Sequence, residues 1–157
     1  VGDATAFRLV DDHFDILRAA LEPHGGTVVK TMGDAIMAAF VDPVSAVEAA
    51  RECLSSFEAW KKTATHGELI GLKLGIYSGP CYVVTANGAI DYFGQTVNCA
   101  ARVQHLASSG ELIFERALYE SLSEKNKSAF HVIEPLTTHV KGVDHPLELL
   151  RTRLSES

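Results

Sequence analysis

The 157-residue sequence lacks several features that mark large classes of proteins. No apolar run approaches the roughly 20 residues that a membrane-spanning helix needs, so we expect no membrane segment in this chain. Residues 1–20 do not have the basic and then apolar layout of a signal peptide, which favours a cytoplasmic protein. Lysine and arginine are scattered and the net charge is −6. We therefore expect no nucleic-acid partner.

The common catalytic and cofactor motifs are also absent. The sequence has neither a Gly-x-x-x-x-Gly-Lys nor a Gly-x-Gly-x-x-Gly phosphate loop. Its seven histidines lack metal-ligand spacing, and no Ser or Cys occupies a nucleophile elbow. Three cysteines lie far apart in apolar segments, which predicts buried, reduced thiols: Cys53, Cys81 and Cys99. Hydrolytic and zinc-dependent chemistry are therefore unsupported.

The first half of the sequence predicts two helices separated by a strand hairpin. Apolar residues spaced by three and four predict a helix capped by Asp3, with one buried stripe: Phe7, Val10, Phe14, Leu17 and Leu21. A strand pair over about 27–41 follows. Asp42-Pro43 then provides an N-cap and a proline in the first helical position, and the second helix is expected to end near Lys62.

The second half predicts strands that alternate with helices. The expected strands are 72–77, 81–85 with a turn at Asn87-Gly88, 112–114, 130–133 and 146–152, and the expected helices are 95–107 and 116–124. No repeat or linker interrupts residues 1–157, so we expect a single domain. This order favours an α/β sandwich in which helices pack on a mixed sheet.

The predicted hairpin carries two charged residues at its turn. Lys30 precedes Gly33 and Asp34 follows it, and both flanks are rich in Val, Ile, Met and Phe. We expect this hairpin to be largely buried. Burying a charge costs several kcal/mol or more unless it is paired or holds a metal, so this turn is a candidate site. The alternative is that both side chains simply reach solvent.

A second candidate group lies around the predicted helix 95–107. Asn98 and Arg102 are four residues apart and share one helix face. An amide and a guanidinium in this arrangement can hold an oxygen-rich anion, although Arg102 could also pair with a nearby carboxylate. Asp91 stands just before Tyr92-Phe93-Gly94. It is a further candidate, with an ordinary turn or cap aspartate as the alternative.

Two segments resemble the signature sequences of class III adenylyl/guanylyl cyclase catalytic domains. One runs from Gly25 to Ala38 (GGTVVKTMGDAIMA) and the other from Asp91 to Arg102 (DYFGQTVNCAAR). Their order and separation also resemble the family pattern, and the similarity covers the chain from the first helix to the last strand. The resemblance implies a ferredoxin-like nucleotide cyclase fold, and an adenylate cyclase of bacterial type that converts ATP to cyclic AMP and pyrophosphate.

The resemblance also implies a role for each candidate residue. Asp34 matches one of two aspartates that hold two Mg²⁺ or Mn²⁺ ions, which prefer hard oxygen ligands. Lys30 and Asp91 match the residues that recognise adenine. The pair at Asn98 and Arg102 matches the residues that position the ribose and stabilise the transition state.

Two departures from the family pattern qualify these roles. The strand with the first metal aspartate would precede the first helix, so the resemblance implies an N-terminally incomplete domain that binds metal poorly, with inactivity by itself as the alternative. The family's Lys-Gly-Lys sequence is Lys141-Gly142-Val143 here. Lys141 is therefore a candidate phosphate ligand, with a solvated charge at a strand end as the alternative.

Three functions follow in order of preference. The first is an adenylate cyclase that acts as a homodimer through the cyclase interface, with a regulatory domain elsewhere in the full-length protein. The second is an inactive cyclase-homology module for regulation or dimerisation. A guanylate cyclase is third, because Lys30 and Asp91 favour adenine.

Overall fold

The structure is a computed structural model that describes residues 2–156, without the side chain of Ala86. The chain divides at Leu72–Lys73 into two compact units. The N-terminal unit contains α1 (Asp3–Leu21), β1 (Thr27–Met32), β2 (Ala35–Ala39) and α2 (Pro43–Thr63), with short 3-10 turns at Glu22–His24 and Gly67–Leu69.

The two long helices of the N-terminal unit pack against each other. The carboxylate of Asp42 accepts the Val44 N–H at 3.1 Å and so caps α2, as predicted. Helix α1 begins differently, because Gly2 is its N-cap and Asp3 is already helical. Its predicted stripe is confirmed at Leu17 and Leu21 and wrong at Phe7, which is 74% exposed. The buried residues of α1 are Leu9, His13, Leu17, Ala20 and Leu21.

The predicted hairpin forms between the two helices in sequence. Strands β1 and β2 are antiparallel, with Lys30 opposite Met37, and Gly33 adopts a φ of +62° in the turn. Such a φ favours glycine. The expectation of a largely buried hairpin is wrong, because β2 is half-buried and Met32 is 49% exposed.

The C-terminal unit contains the remaining nine elements. They are β3 (Lys73–Gly75), β4 (Tyr82–Ala86), β5 (Ala89–Phe93), α3 (Gln95–Leu106), β6 (Glu111–Glu115), α4 (Arg116–Ser121), α5 (Glu124–Ser128), β7 (Phe130–Thr138) and β8 (Leu147–Leu154). Four of them form a sheet in the order β3-β6-β8-β7. Strands β3 and β6 are parallel and the other pairs are antiparallel, so the predicted mixed sheet with helices is confirmed.

The core of the C-terminal unit joins α3 to this sheet. Cys99 and Val103, on the inner side of α3, are 1% and 0% exposed. They cluster with buried residues that follow α3 or lie on β6 and β8: Ala107, Ile113, Leu147 and Leu149. Gly75 allows β3 to approach closely, since a Cβ there would meet the Gln104 backbone nitrogen at 2.4 Å. Helix α3 is therefore firmly seated within its unit.

Strands β4 and β5 form a separate two-stranded hairpin. Asn87 and Gly88 have φ values of 54° and 76°, as expected for an Asn-Gly hairpin turn. The hairpin exposes large apolar side chains, namely Tyr82, Val83, Val84, Ile90 and Phe93, with Tyr82 at 77%. Cys81, just before it, is exposed, whereas Cys53 and Cys99 are buried. The prediction of a buried thiol is therefore wrong for Cys81.

Two predicted elements near the C-terminus have different bounds. The expected helix 116–124 is two short helices, because the Ser123 hydroxyl accepts the Asn126 N–H at 3.2 Å and caps a new helix, α5. The expected strand 130–133 continues to Thr138 as β7. Pro135 is accommodated there because β7 is an edge strand of the sheet.

Candidate active site

The turn of the first hairpin places Asp34 in solvent. Asp34 follows Gly33 directly and is exposed, whereas Lys30 is half-buried on β1. The negative charge of Asp34 also affects the pKa of His13 on α1. Burial lowers the pKa of His13, and the Val10 carbonyl and Asp34 oppose that shift. The exposure of Asp34 leaves its oxygens accessible to a cation, and it also agrees with a simply solvated side chain.

Asp91 is oriented within β5. It is half-buried and lies opposite Val84 of β4, and its Oδ1 accepts the Tyr92 N–H at 2.8 Å. The alternative of a turn or cap aspartate is wrong, because Asp91 lies within a strand and Gly94 is the N-cap of α3. Its carboxylate is therefore held in the middle of β5, close in sequence to α3.

Asn98 and Arg102 lie on the exposed side of α3, one helical turn apart. The next residues along the chain, Cys99 and Val103, point into the core. This alternation explains why the helix can be firmly packed and still present two polar side chains to a ligand. The structure thus brings the amide and the guanidinium onto one face, as predicted.

The guanidinium of Arg102 is tethered at one nitrogen. Its Nε donates to the Thr138 hydroxyl at 3.1 Å, and Thr138 is only 6% exposed, at the end of β7. Among residues 2–156, no carboxylate forms an ion pair with Arg102. The alternative of a structural salt bridge is therefore wrong for the described chain. No pattern in the sequence predicts this contact with Thr138.

Lys141 lies in a tight turn that follows β7. The Val143 N–H donates to the Val140 carbonyl at 3.0 Å, and Gly142 has a φ of +87°. A Cβ on Gly142 would meet the Gln95 side-chain nitrogen at 2.4 Å, so the turn approaches the first residue of α3. Lys141 is exposed in this turn. Its role as a phosphate ligand stays a prediction.

A complete metal centre is not formed by the described residues. No group of three or more His, Cys, Asp and Glu side chains between residues 2 and 156 is placed to hold an ion. Asp34 offers a hard oxygen donor of the type that Mg²⁺ and Mn²⁺ prefer, but it is a single carboxylate. The residues present therefore fit part of a metal site and do not complete one.

Comparison with known families decides the identity of the chain. Residues 3–150 match the family described as the adenylate and guanylate cyclase catalytic domain. The chain belongs to this family. The membership confirms the predicted class III cyclase resemblance. The cyclase domain also includes no helix, within residues 2–156, that has both the length and the apolarity to cross a membrane.

Relatives are similar to the chain in sequence, and solved structures are similar to it in fold. The receptor-type adenylate cyclase GRESAG 4.2 of Trypanosoma brucei brucei is 26% identical over 89% of the chain, which spans 31% of that relative. The guanylyl cyclase Cya2 has a similar fold, with a TM-score of 0.77 and 18% identity over 99% of this chain and 84% of that one. The catalytic core of a rhodopsin-guanylyl cyclase with converted specificity, in complex with ATPalphaS, also has a similar fold. Its TM-score is 0.74 and its sequence identity is 24%, over 99% of this chain and 86% of that one.

Proposed function

We propose that this cyclase domain converts ATP to 3′,5′-cyclic AMP and pyrophosphate. The main support is the exposed face of α3, where Asn98 and a tethered Arg102 project from a helix whose other side is fully packed. In the proposed reaction, the ribose 3′-hydroxyl releases its proton to water and its oxygen forms a bond to the α-phosphorus. The bond between that phosphorus and the pyrophosphate oxygen breaks.

Each α3 residue has a distinct proposed task. The Asn98 amide holds the ribose so that its 3′-oxygen faces the α-phosphorus. The Arg102 guanidinium stabilises the negative charge that develops on the phosphate oxygens, and such preorganised donors contribute strongly to catalysis. Lys141 is exposed next to the same helix and is proposed to contact the phosphates.

Lys30 and Asp91 are proposed to select the base. The Lys30 ammonium donates to a ring nitrogen of adenine, and the Asp91 carboxylate accepts from the exocyclic amine. Guanine presents the opposite donor and acceptor pattern, so this pair favours ATP over GTP. This assignment rests on the family motif. A guanylate cyclase is accordingly the less favoured enzyme.

Asp34 is proposed to supply one carboxylate for two divalent cations, Mg²⁺ or Mn²⁺. Bound in that way, the ions would lower the pKa of the attacking hydroxyl and neutralise charge on the triphosphate. Val143 stands where the family pattern has a second lysine, and this departure leaves a second candidate function. That function is an inactive cyclase-homology module for dimerisation or regulation.

We also propose a homodimer as the working unit, with regulation supplied elsewhere in the full-length protein. The exposed apolar side chains of the β4–β5 hairpin support a partner surface. In the proposed dimer, the metal aspartates of one subunit face the base-selecting and α3 residues of the other, giving two equivalent sites. Because the reaction consumes ATP, we place it in the cytoplasm.

A cyclase assay on the full-length protein tests the proposed activity. Initial rates with ATP and with GTP are compared in Mn²⁺, and the cyclic product is identified by mass. We expect cyclic AMP from ATP at the higher rate, a nearly inactive Arg102→Ala variant, and normal activity in Arg153→Ala, a matched control on the exposed side of β8. A folded wild-type protein without cyclic product would support the inactive module instead.

A mixing experiment tests the shared sites. Asp34→Asn and Arg102→Ala chains should each be nearly inactive alone. Their mixture should regain activity, because one site in each heterodimer then contains neither substitution. Heterodimer formation is verified independently with two affinity tags. A confirmed heterodimer without recovered activity would contradict the shared-site arrangement.

A further inference from the structure

The contact between α3 and the end of β7 links residues that are 36 positions apart. Arg102 itself is exposed, but the oxygen that its Nε contacts belongs to the buried Thr138. A threonine side chain is stiff about χ1 because it is branched at Cβ. The hydroxyl of Thr138 is therefore a fixed acceptor, set by the backbone of the strand.

The nitrogen of the guanidinium that donates to this acceptor determines which nitrogens remain for a ligand. Arginine presents its N–H groups in one rigid plane. A hydrogen bond at Nε fixes the direction of that plane and leaves the outer edge, with both Nη nitrogens, for a ligand. In residues 2–156 no protein hydrogen bond or ion pair engages those outer nitrogens. The geometry thus separates an anchoring side of Arg102 from a binding side.

The segment that begins at Thr138 contacts α3 at further points. Val140 and Val143 pack against the cluster that contains Cys99 and Val103. Between these two valines in the sequence, Gly142 lies close to Gln95 at the start of the helix. One short segment therefore fixes the guanidinium of Arg102 and also determines where the turn that carries Lys141 lies against α3.

We propose that Thr138 is a positioning residue, which orients the Arg102 guanidinium toward the phosphate oxygens of the substrate through the bond to Nε. This inference rests on the proposed cyclase function. Thr138 touches no substrate in this arrangement. Its hydroxyl aligns Arg102 before the reaction, so that the guanidinium need not reorient as negative charge develops.

Replacing Thr138 with valine tests the proposal, since valine keeps the shape and removes the acceptor. We expect Thr138→Val to lower kcat about tenfold or more and to change KM by less than about twofold, because an interaction made in the transition state is weakened. Thr138→Ser restores a hydroxyl and should recover most of the lost kcat. All variants are assayed in the full-length protein.

The matched control is Thr137→Val, one position away on the same strand. Thr137 is exposed and its hydroxyl donates to Glu148 at 3.1 Å, so this variant should keep wild-type kcat. A double-mutant comparison adds a second readout. In an Arg102→Ala background, which retains only residual activity, Thr138→Val should have no further effect on kcat.

The outcomes separate this inference from the proposed function. If the wild-type protein makes cyclic AMP and Thr138→Val keeps its kcat, the positioning role is wrong and the cyclase function stands. The positioning role would also be overturned if Thr138→Val lowered kcat by the same factor with and without Arg102, because Thr138 would then act independently of Arg102. An inactive wild-type protein would overturn both. If Thr138→Val does not fold, Thr138→Ala, which also removes the hydroxyl, decides through the same comparison with Arg102→Ala.

Discussion

The hairpin turn of the N-terminal unit and helix α3 of the C-terminal unit carry candidate residues in contrasting ways. Asp34 follows a glycine turn, is exposed and precedes a strand that is only half-buried. Arg102 is also exposed, yet it projects from a helix with a core of nearly zero exposure and is tethered to Thr138. One group is held by its turn and the other by extensive packing.

This contrast indicates which of the proposed functional groups are preorganised by packing and which remain accessible. Residues that stabilise charge in a transition state are most effective when they are preorganised, and α3 provides that rigidity. A carboxylate that receives a cation must remain accessible, and the turn provides that access. The two proposed tasks therefore match the local packing, and changes at the two places should affect activity and stability differently.

The largest expected effect is at the turn. Asp34→Asn keeps the shape and removes the charge, so the initial rate in saturating Mn²⁺ should fall by about a hundredfold or more. Because Asp34 is exposed, the free energy of unfolding should change by less than about 0.5 kcal/mol. Thermal denaturation and a rate assay on the same samples measure both.

Asp42 provides a control with the opposite expectation. It is an exposed aspartate in the same unit, but it caps α2. Asp42→Ala should lower the free energy of unfolding by about 1 kcal/mol and leave the rate nearly unchanged. If Asp34→Asn instead gave that profile, Asp34 would be a structural residue of the hairpin.

An intermediate effect is expected for base selection. Lys30 and Asp91 lie in different units, and the double variant Lys30→Glu/Asp91→Cys removes both proposed contacts to adenine. Each discriminating hydrogen bond contributes roughly 1–3 kcal/mol, so the ratio of initial rates with ATP and GTP should fall by about tenfold or more. A ratio equal to that of the wild-type protein would exclude both residues from base selection.

The smallest effect is expected for thiol labelling, which measures packing in each of the two units. Cys81 is exposed and should react quickly with a thiol reagent at pH 8. Burial raises the pKa of Cys53 to about 12 and also raises the pKa of Cys99, so both should react only after unfolding. Rapid labelling of Cys99 in the folded protein would mean that α3 is loosely seated.

The fold could be predicted where the sequence pattern is local. The glycine turn of the first hairpin, the Asn87-Gly88 turn and the Asp42 cap are fixed by residues within a few positions, and all three are confirmed. Predictions were wrong where burial depends on contacts between segments that are distant in the sequence. The stripe of α1 was assigned from spacing alone, yet Phe7 is exposed and His13 is buried against Phe57.

The candidate site could be predicted only in part. Asn98 and Arg102 share a helix face because of helical periodicity, which the sequence displays directly. The contact from Arg102 to Thr138 joins distant segments, and a threonine in a strand gives no pattern that distinguishes it from its neighbour Thr137. The roles of Lys30, Asp34, Asp91 and Lys141 depend on the family resemblance and stay predictions.

The outer strand β7 has a consequence for how copies of this protein can associate. In the described chain β7 forms one edge of the sheet, and its register shifts between Val132 and Glu134. Pro135 follows and has no N–H to offer. An irregular edge of this kind resists aggregation by strand addition. Along this edge, the register shift and Pro135 therefore oppose extension of the sheet by a second copy.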